Sequence, residues 1–227
     1  MFHFRYFFNL KTGLSSFSET ITQEAIMKKV ILFGAQGTVG KKVRAALESA
    51  KFEVITVGRK SGEHQVEIEN AASVKALYEK IGSFDHVVSA AGEVAFAPLA
   101  EITQAQWTSS LQSKLLGQIN LVQEALLYIQ EKGSFTLVSG VVSECPIAWG
   151  AVATTVNRAI EGYAMASACE LPKSLRINVV SPNVLEESMN QFGAFFPGVK
   201  PVAGDLVAQT FLQSVMGVQS GRVFKVH

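Results

Sequence analysis

Little in the 227-residue sequence marks it for a metal, a membrane or a nucleic acid. Its two cysteines, Cys145 and Cys169, are too few for a disulfide scaffold, and its four histidines are scattered without zinc-ligand spacing. No metal site is therefore expected, and the thiols are expected to be reduced in a cytoplasmic setting. No apolar run approaches the roughly 20 residues a bilayer span needs, which leaves no membrane segment. The formal net charge is +1 without a concentrated basic patch, which argues against nucleic acid as a partner. What is present is 48% hydrophobic residues, enough for a core of ample size, and one domain is the simplest count.

Residues 1–26 differ in texture from the rest. MFHFRYFF is aromatic without alternation, and the segment then drifts through polar residues to Met27, Lys28 and Lys29, where the chain has the look of a natural beginning. Arg5 and Lys11 among aromatics raise a targeting peptide, but the apolar part is short and interrupted, and Glu19 and Glu24 are wrong for a transit sequence. The segment reads as a poorly ordered extension or an upstream translation start, with a single domain over 27–227.

That domain is organised around Val30–Phe33 and the turn Gly34-Ala35-Gln36-Gly37-Thr38-Val39-Gly40. A continuous apolar run ending in GxxGxxG and opening into Lys41–Glu48 predicts a buried strand, a tight turn and a helix. Backbone N–H groups in such a turn can approach a pyrophosphate at the helix N-terminus, where the dipole favours anions. An ordinary βα turn that merely uses glycine is the alternative, and the downstream chain decides between them.

A second strand, Phe52–Val57, ends at Gly58-Arg59-Lys60-Ser61. The acid that would bond the ribose hydroxyls of NAD is missing there, and Arg59 and Lys60 stand in its place, suited to the 2′-phosphate of NADP. NADP is preferred over NAD on this ground, although solvated loop charges would look the same. Gln65–Ile68 predicts a short third strand, with Glu67 a candidate for the adenine edge, and Asn70 can cap a helix over 71–81. Phe84–Ser89 predicts a fourth strand that delivers Ala90, Ala91 and Gly92 to the ligand crevice.

Thr103–Gln106 has the form of a capping box and starts a helix expected to run to about Gln130, with Lys114 in its middle. Ser134–Val138 is the fifth strand and leads to Ser139 and Gly140. Ala151–Glu170 reads as a long helix of small residues, able to pack on its own sheet or against the same helix of a second subunit. Arg176–Ser181 is the sixth strand, followed by Pro182, Asn183 and Val184. The stretch from Glu186 to Lys200 lacks periodicity and gathers Phe192, Phe195, Phe196 and Pro197, an apolar lid or a plain loop anchor. A helix from Pro201 to about Met216 and a strand over Gly221–Val226 close the chain. The predicted fold class is α/β, a Rossmann-type doubly wound parallel seven-stranded sheet with helices on both faces.

The GAQGTVG turn, Ala90-Ala91-Gly92, Pro98-Leu99 before the long helix, Arg176–Val179 and Ser181-Pro182 together resemble the short-chain dehydrogenase/reductase family across Lys28 to Val226. The glycine spacing is similar to that of its extended and atypical members. The resemblance implies a nicotinamide dinucleotide held by Gly34, Gln36, Gly37, Thr38, Val39, Gly40, Arg59, Lys60, Ala90, Ala91, Gly92, Pro182 and Val184. It also implies a small-molecule substrate and a homodimer or homotetramer.

The family's catalytic serine, tyrosine and lysine do not carry over. Anchoring on Glu161-Gly162 places the tyrosine position at Ala153 and the lysine position at Asn157; counting back places the serine position at Gly140, beside Ser139, and anchoring on Gly117 places the supporting asparagine at Lys114. The asparagine position has become a lysine while the lysine position has become an asparagine. An exchanged pair is expected from this, with the Lys114 ammonium near the nicotinamide ribose and hydrogen-bonded to Asn157. Ser139, Lys114 and Asn157 are the candidate catalytic residues. Tyr163 is expected in the core or an interface. The expected function is NADP-dependent hydride transfer to or from a carbonyl or alcohol; the alternative is a catalytically silent NADP-binding sensor.

Overall fold

The structure, a computed structural model, describes residues 27–227, so the expected extension over 1–26 lies outside the described residues. Seven parallel strands form one sheet: β1 (Lys29–Phe33), β2 (Glu53–Gly58), β3 (His64–Gln65), β4 (Phe84–Ser89), β5 (Ile129–Val138), β6 (Arg176–Pro182) and β7 (Val223–Val226). Their order is β3-β2-β1-β4-β5-β6-β7. Strand order reverses between β1 and β4, and a crevice opens there at the carboxyl ends, where open α/β sheets bind ligands.

Strand β1 shows why the apolar runs are continuous. Ile31 and Phe33 enter a core with Leu77 of α2 (Ala71–Ile81), Leu121 of α4 (Gly117–Gln123) and Ile160 of α5 (Ala151–Ser167). Val30 and Leu32 enter the opposite core with Val43 and Leu47 of α1 (Thr38–Ser49) and Phe211 of α7 (Gly204–Met216). Alternate residues point to opposite faces, and both faces are covered by helices, so every position must be apolar. Asn70 caps α2, its side-chain oxygen accepting from the N–H groups of Ala72 (3.0 Å) and Ser73 (3.3 Å).

Beyond small shifts at element ends, such as the small-residue helix stopping at Ser167 and the last helix starting at Gly204, the fold differs from the expected elements in three places. Strand β3 is only two residues long and starts at His64, so Val66–Ile68 follows it as coil. The helix expected to run to about Gln130 is built in pieces: α3 (Gln104–Ser110), a π-helical segment over Leu111–Leu116, and α4, which ends at Gln123. The capping box at Thr103 and Gln106 is formed as expected. Strand β5 begins at Ile129 rather than Ser134, because Ile129 pairs with Phe84 before a register shift that includes Gly133. The Glu186–Lys200 segment contains a short helix, α6 (Met189–Phe192), flanked by single 3₁₀ turns, and a bridge between Leu185 and Val202 pins its two ends.

Candidate functional site

The Gly34–Gly40 turn wraps the start of α1. Gly34 takes a φ of +78°, and a Cβ on Gly40 would collide with the Gly34 carbonyl oxygen, so the turn closes only with glycine at both positions. Helix α1 begins after an extended Gly37 (φ −70°, ψ 171°), with no side-chain cap and no acid in its first turn. Its leading N–H groups are therefore left for an anion. Beside them a cavity of about 470 Å³ runs along the crevice, lined at one end by Gly34, Gln36 and Gly37 and at the other by Arg59, Lys60 and Ser61. Val57, Val66 and Ile68 give it an apolar wall suited to a flat base. The donor set and the apolar wall fit a dinucleotide.

The expected cofactor residues divide within this frame. Gly34, Gln36, Gly37, Arg59, Lys60, Ala90, Ala91 and Gly92 line the cavity. Thr38, Val39 and Gly40 do not: Thr38 is exposed, Val39 packs on the core shared with α7, and Gly40 is buried against Gly34. Pro182 and Val184 line a neighbouring cavity instead. Glu67 is exposed and outside the cavity, which corrects the adenine-edge expectation. Val66 and Ile68 face the cavity, and Glu67 between them faces water.

The neighbouring cavity, about 260 Å³, is lined by Phe96, Phe192, Phe195 and Phe196 at its mouth and by Lys114, Ser139, Gly140 and Asn157 among its polar residues. The expected lid phenylalanines thus converge on it, with Phe192 against Phe96 at 6.4 Å between ring centroids and Phe195 against Trp149 at 5.3 Å. The two cavities adjoin at Gly92 and Lys114. Gly92, at φ +113°, lies so close that a Cβ would sit 2.8 Å from both the Cα and Cγ of Lys114. Only glycine lets the lysine stem pass.

Lys114 sits in the π-helical segment, where one extra residue per turn alters the direction of the side chain. Ser110 and Ser113 on the same stretch accept from the N–H groups of Ala95 (2.9 Å) and Glu93 (3.2 Å), tying the post-β4 loop to the helix. Gln118, fully buried, donates to the carbonyls of Lys114 (3.1 Å) and Val138 (2.9 Å) and accepts from Val138 N–H (2.9 Å). It pairs with the carboxyl end of β5 through a side chain. The sequence signal for Gln118 is its i+4 spacing from Lys114 on one helix face.

The exchanged pair is brought to one cavity but not into direct contact as expected. Lys114 Nζ donates to the Ser139 carbonyl oxygen at 3.2 Å, not to Asn157. Asn157, on α5 and 2% exposed, has its Oδ1 buried without a hydrogen-bond partner. Burial lowers the Lys114 pKa from 10.5 to about 8. Its side chain keeps some exposed area, yet the amine is set in a densely packed surround without a carboxylate to stabilise its charge.

Ser139 contributes its carbonyl rather than its hydroxyl. The Ser139 Oγ donates to Glu161 Oε1 at 2.9 Å, and Ser143 Oγ donates to the same oxygen at 2.7 Å. Arg158 donates to Glu161 Oε2 at 3.2 Å. Glu161, only 4% exposed, therefore anchors the segment that carries the Lys114 acceptor; a lone acid in a small-residue helix gave no sign of this. Ala153, the expected tyrosine position, is fully buried in the wall of the same cavity, and Gly140 leaves room for the Asn157 amide. Tyr163 packs partly buried against the main core, as expected. Among the described residues no group of acids, histidines and cysteines could hold a metal, and no helix is long and apolar enough to cross a membrane.

Known proteins resemble the chain in both sequence and fold. A family model described as enoyl-(acyl carrier protein) reductase matches residues 29–217. An uncharacterized oxidoreductase of Methylorubrum extorquens is 31% identical over 193 residues, which cover 82% of this chain and 77% of that protein. The crystal structure of a protein from Listeria innocua is 46% identical with a TM-score of 0.86, covering 88% of this chain and 100% of that one. A small-chain dehydrogenase solved in complex with NADPH superposes with a TM-score of 0.79 at 24% identity, over 88% of this chain and 96% of that one. The glycine turn, the parallel strand order and the match over 29–217 agree, and the chain belongs to the short-chain dehydrogenase/reductase family of NAD(P)-dependent oxidoreductases.

Proposed function

We propose that the protein uses NADP to transfer hydride to or from a carbonyl or alcohol carbon of a small, mainly apolar molecule. In it the Lys114 amine, at the position expected for the family's supporting asparagine, takes over work that the family gives to a tyrosine and a lysine. The observation that carries this is the meeting of the two cavities at Gly92 and Lys114, which puts a cationic side chain at the boundary between a dinucleotide-shaped cleft and a phenylalanine-lined chamber.

Gly34, Gln36 and Gly37 with the start of α1 would hold the pyrophosphate, Arg59 and Lys60 the 2′-phosphate, and Ala90, Ala91 and Gly92 the ribose side of the cleft. When bound, the nicotinamide supplies or accepts hydride. The chain's own residues do the rest. The phenylalanines exclude water and seat the apolar body of the substrate. The Lys114 ammonium stabilises negative charge on the substrate oxygen and carries a proton to it; Asn157 offers its free carboxamide oxygen to a donor on the ligand. With a pKa of about 8, Lys114 is mostly protonated at pH 7 and serves as an acid; above pH 8 it loses that capacity, so reduction is expected to fall and the reverse reaction to be favoured. A homodimer or homotetramer in the cytoplasm is the setting proposed with this activity.

The second reading is an NADP-binding sensor, and it draws on Ala153 and Gly140, which bring no hydroxyl to the chamber. Fluorescence titration with NADPH and NADH, followed by NADPH oxidation in the presence of aldehydes, ketones and quinones, separates the two. Turnover that falls at least 100-fold in Lys114→Met, with NADPH binding retained, is the expected result. Tight NADPH binding without turnover of any substrate class would make the protein a sensor.

A further inference from the structure

The end of the cleft that would meet a 2′-phosphate already holds a competing anion. Arg59 follows β2, and its Nη2 donates to Glu69 Oε1 in an ion pair that lines the cleft. Glu69, in the link between β3 and α2, is the less exposed partner, at 25% against 45% for Arg59. Glu63, the acid nearer in sequence, is turned away: its Oε1 accepts from Thr56 N–H (3.1 Å) and Thr56 Oγ1 (3.0 Å) and closes the loop. Lys60 and Ser61 line the same end, and among the described residues Lys60 has no ion pair. The two cations of this end are thus unequal, Lys60 open to an incoming anion and Arg59 engaged.

The backbone under Glu69 is held from both sides. The Ile68 carbonyl accepts from Asn120 Nδ2 at 2.9 Å, Ile68 is buried, and Asn70 is fixed as the cap of α2. The carboxylate can leave Arg59 by side-chain rotation, but its attachment point stays. A phosphomonoester arrives with a charge of about −1.5 to −2 and seeks the flat face of a guanidinium fork. It must either displace Glu69 from Arg59 or share the guanidinium with a like charge alongside. A dinucleotide without the 2′-phosphate meets neither cost.

We propose that Glu69 is a specificity-determining residue of the nucleotide site: by holding Arg59 it weakens binding of the 2′-phosphorylated dinucleotide alone and so limits the preference for NADP over NAD. This rests on the cofactor reading given above. Glu69 acts through Arg59, so its effect requires both the guanidinium and the phosphate.

The test is equilibrium binding, with no turnover involved. NADPH and NADH are titrated by fluorescence into the wild-type chain, Glu69→Gln, Arg59→Ala and the double variant, each verified as folded by circular dichroism. Glu69→Gln keeps the shape and removes the charge; it is expected to tighten NADPH about three- to tenfold and leave NADH within about twofold. Arg59→Ala is expected to weaken NADPH about tenfold or more, and on that background Glu69→Gln is expected to change NADPH affinity by less than about twofold. Weaker NADPH binding by Glu69→Gln would mean that Glu69 orients Arg59 productively and would overturn the proposal. Unchanged NADPH affinity, equal tightening of both nucleotides, or full tightening without Arg59 would overturn it as well while leaving the cofactor reading intact. Failure of the wild-type chain to bind NADPH would overturn both.

Discussion

Replacing Lys114 by methionine isolates the cost of placing an amine at the junction of the two cavities. Methionine retains an unbranched stem, so the close passage under Gly92 is preserved and the change is chiefly the loss of charge. A fall in pKa from 10.5 to about 8 corresponds to roughly 3 kcal/mol against the charged form at neutral pH, and the partial exposure of the side chain reduces this to about 1–2 kcal/mol. The sign follows from proton binding. Between pH 8 and 10.5 the unfolded chain binds a proton at this lysine that the folded chain has lost, so stability rises with pH in that window. The penalty is complete below pH 8 and absent above 10.5. Urea denaturation of both proteins at pH 7 and pH 10 reads the effect as a difference in which other titrating groups cancel. From pH 7 to pH 10 the wild type is expected to gain about 1–2 kcal/mol relative to Lys114→Met. A difference that stays constant, or changes in the variant's favour, would refute the assignment of Lys114 as a desolvated amine. Loss of the hydrogen bond to the Ser139 carbonyl offsets part of the variant's advantage at pH 7, and less of it at pH 10, where the neutral amine is the weaker donor.

The glycines of the turn are expected to separate by role. A Cβ on Gly37 would meet the Gly34 carbonyl oxygen at an ordinary 3.5 Å, so Gly37→Ala should fold with a stability change under about 1 kcal/mol while weakening nucleotide binding, as read by melting and fluorescence titration. Gly40→Ala should instead lower the melting temperature sharply, because the added methyl has no space beside Gly34. His86, buried in β4 against Ser134 Oγ at 2.8 Å, has its pKa lowered by burial from 6.5 to about 4. Its folded pKa lies below its unfolded one, so the wild type should lose up to about 3 kcal/mol as pH falls from 6.5 to 4, a loss that His86→Gln should largely lack in denaturant titrations.

The cradle was legible because its causes are local. Three glycines at the end of an apolar run specify the turn whatever surrounds it, and the missing acid after β2 is visible as Arg59 and Lys60. Both faces of β1 could likewise be read, since a continuous apolar run has few alternatives to a covered strand. The outward position of Glu67 was not legible because which side of Val66–Ile68 meets the crevice is decided by packing, with Ile68 in the core and Val66 against it. The single long helix was misread because it passes through a π segment at Leu111–Leu116 and ends at Gln123, neither of which the spacing of apolar residues announces.

Ser139, Lys114 and Asn157 show where the boundary lies. By itself, the order of residues led to the expectation that a lysine and an asparagine have exchanged places relative to the family, because that comparison needs only positions along one chain. It did not determine that the serine hydroxyl would be occupied by Glu161, that Lys114 would turn to the Ser139 carbonyl, or that the Asn157 oxygen would be left without a partner. Nor did it reveal that Arg59 pairs with Glu69 in the lining of the cleft. Each of these pairs joins residues from different elements, and a hydrogen bond reaches only about 3 Å. Which side chains fall within that reach is decided by how the helices dock on the sheet.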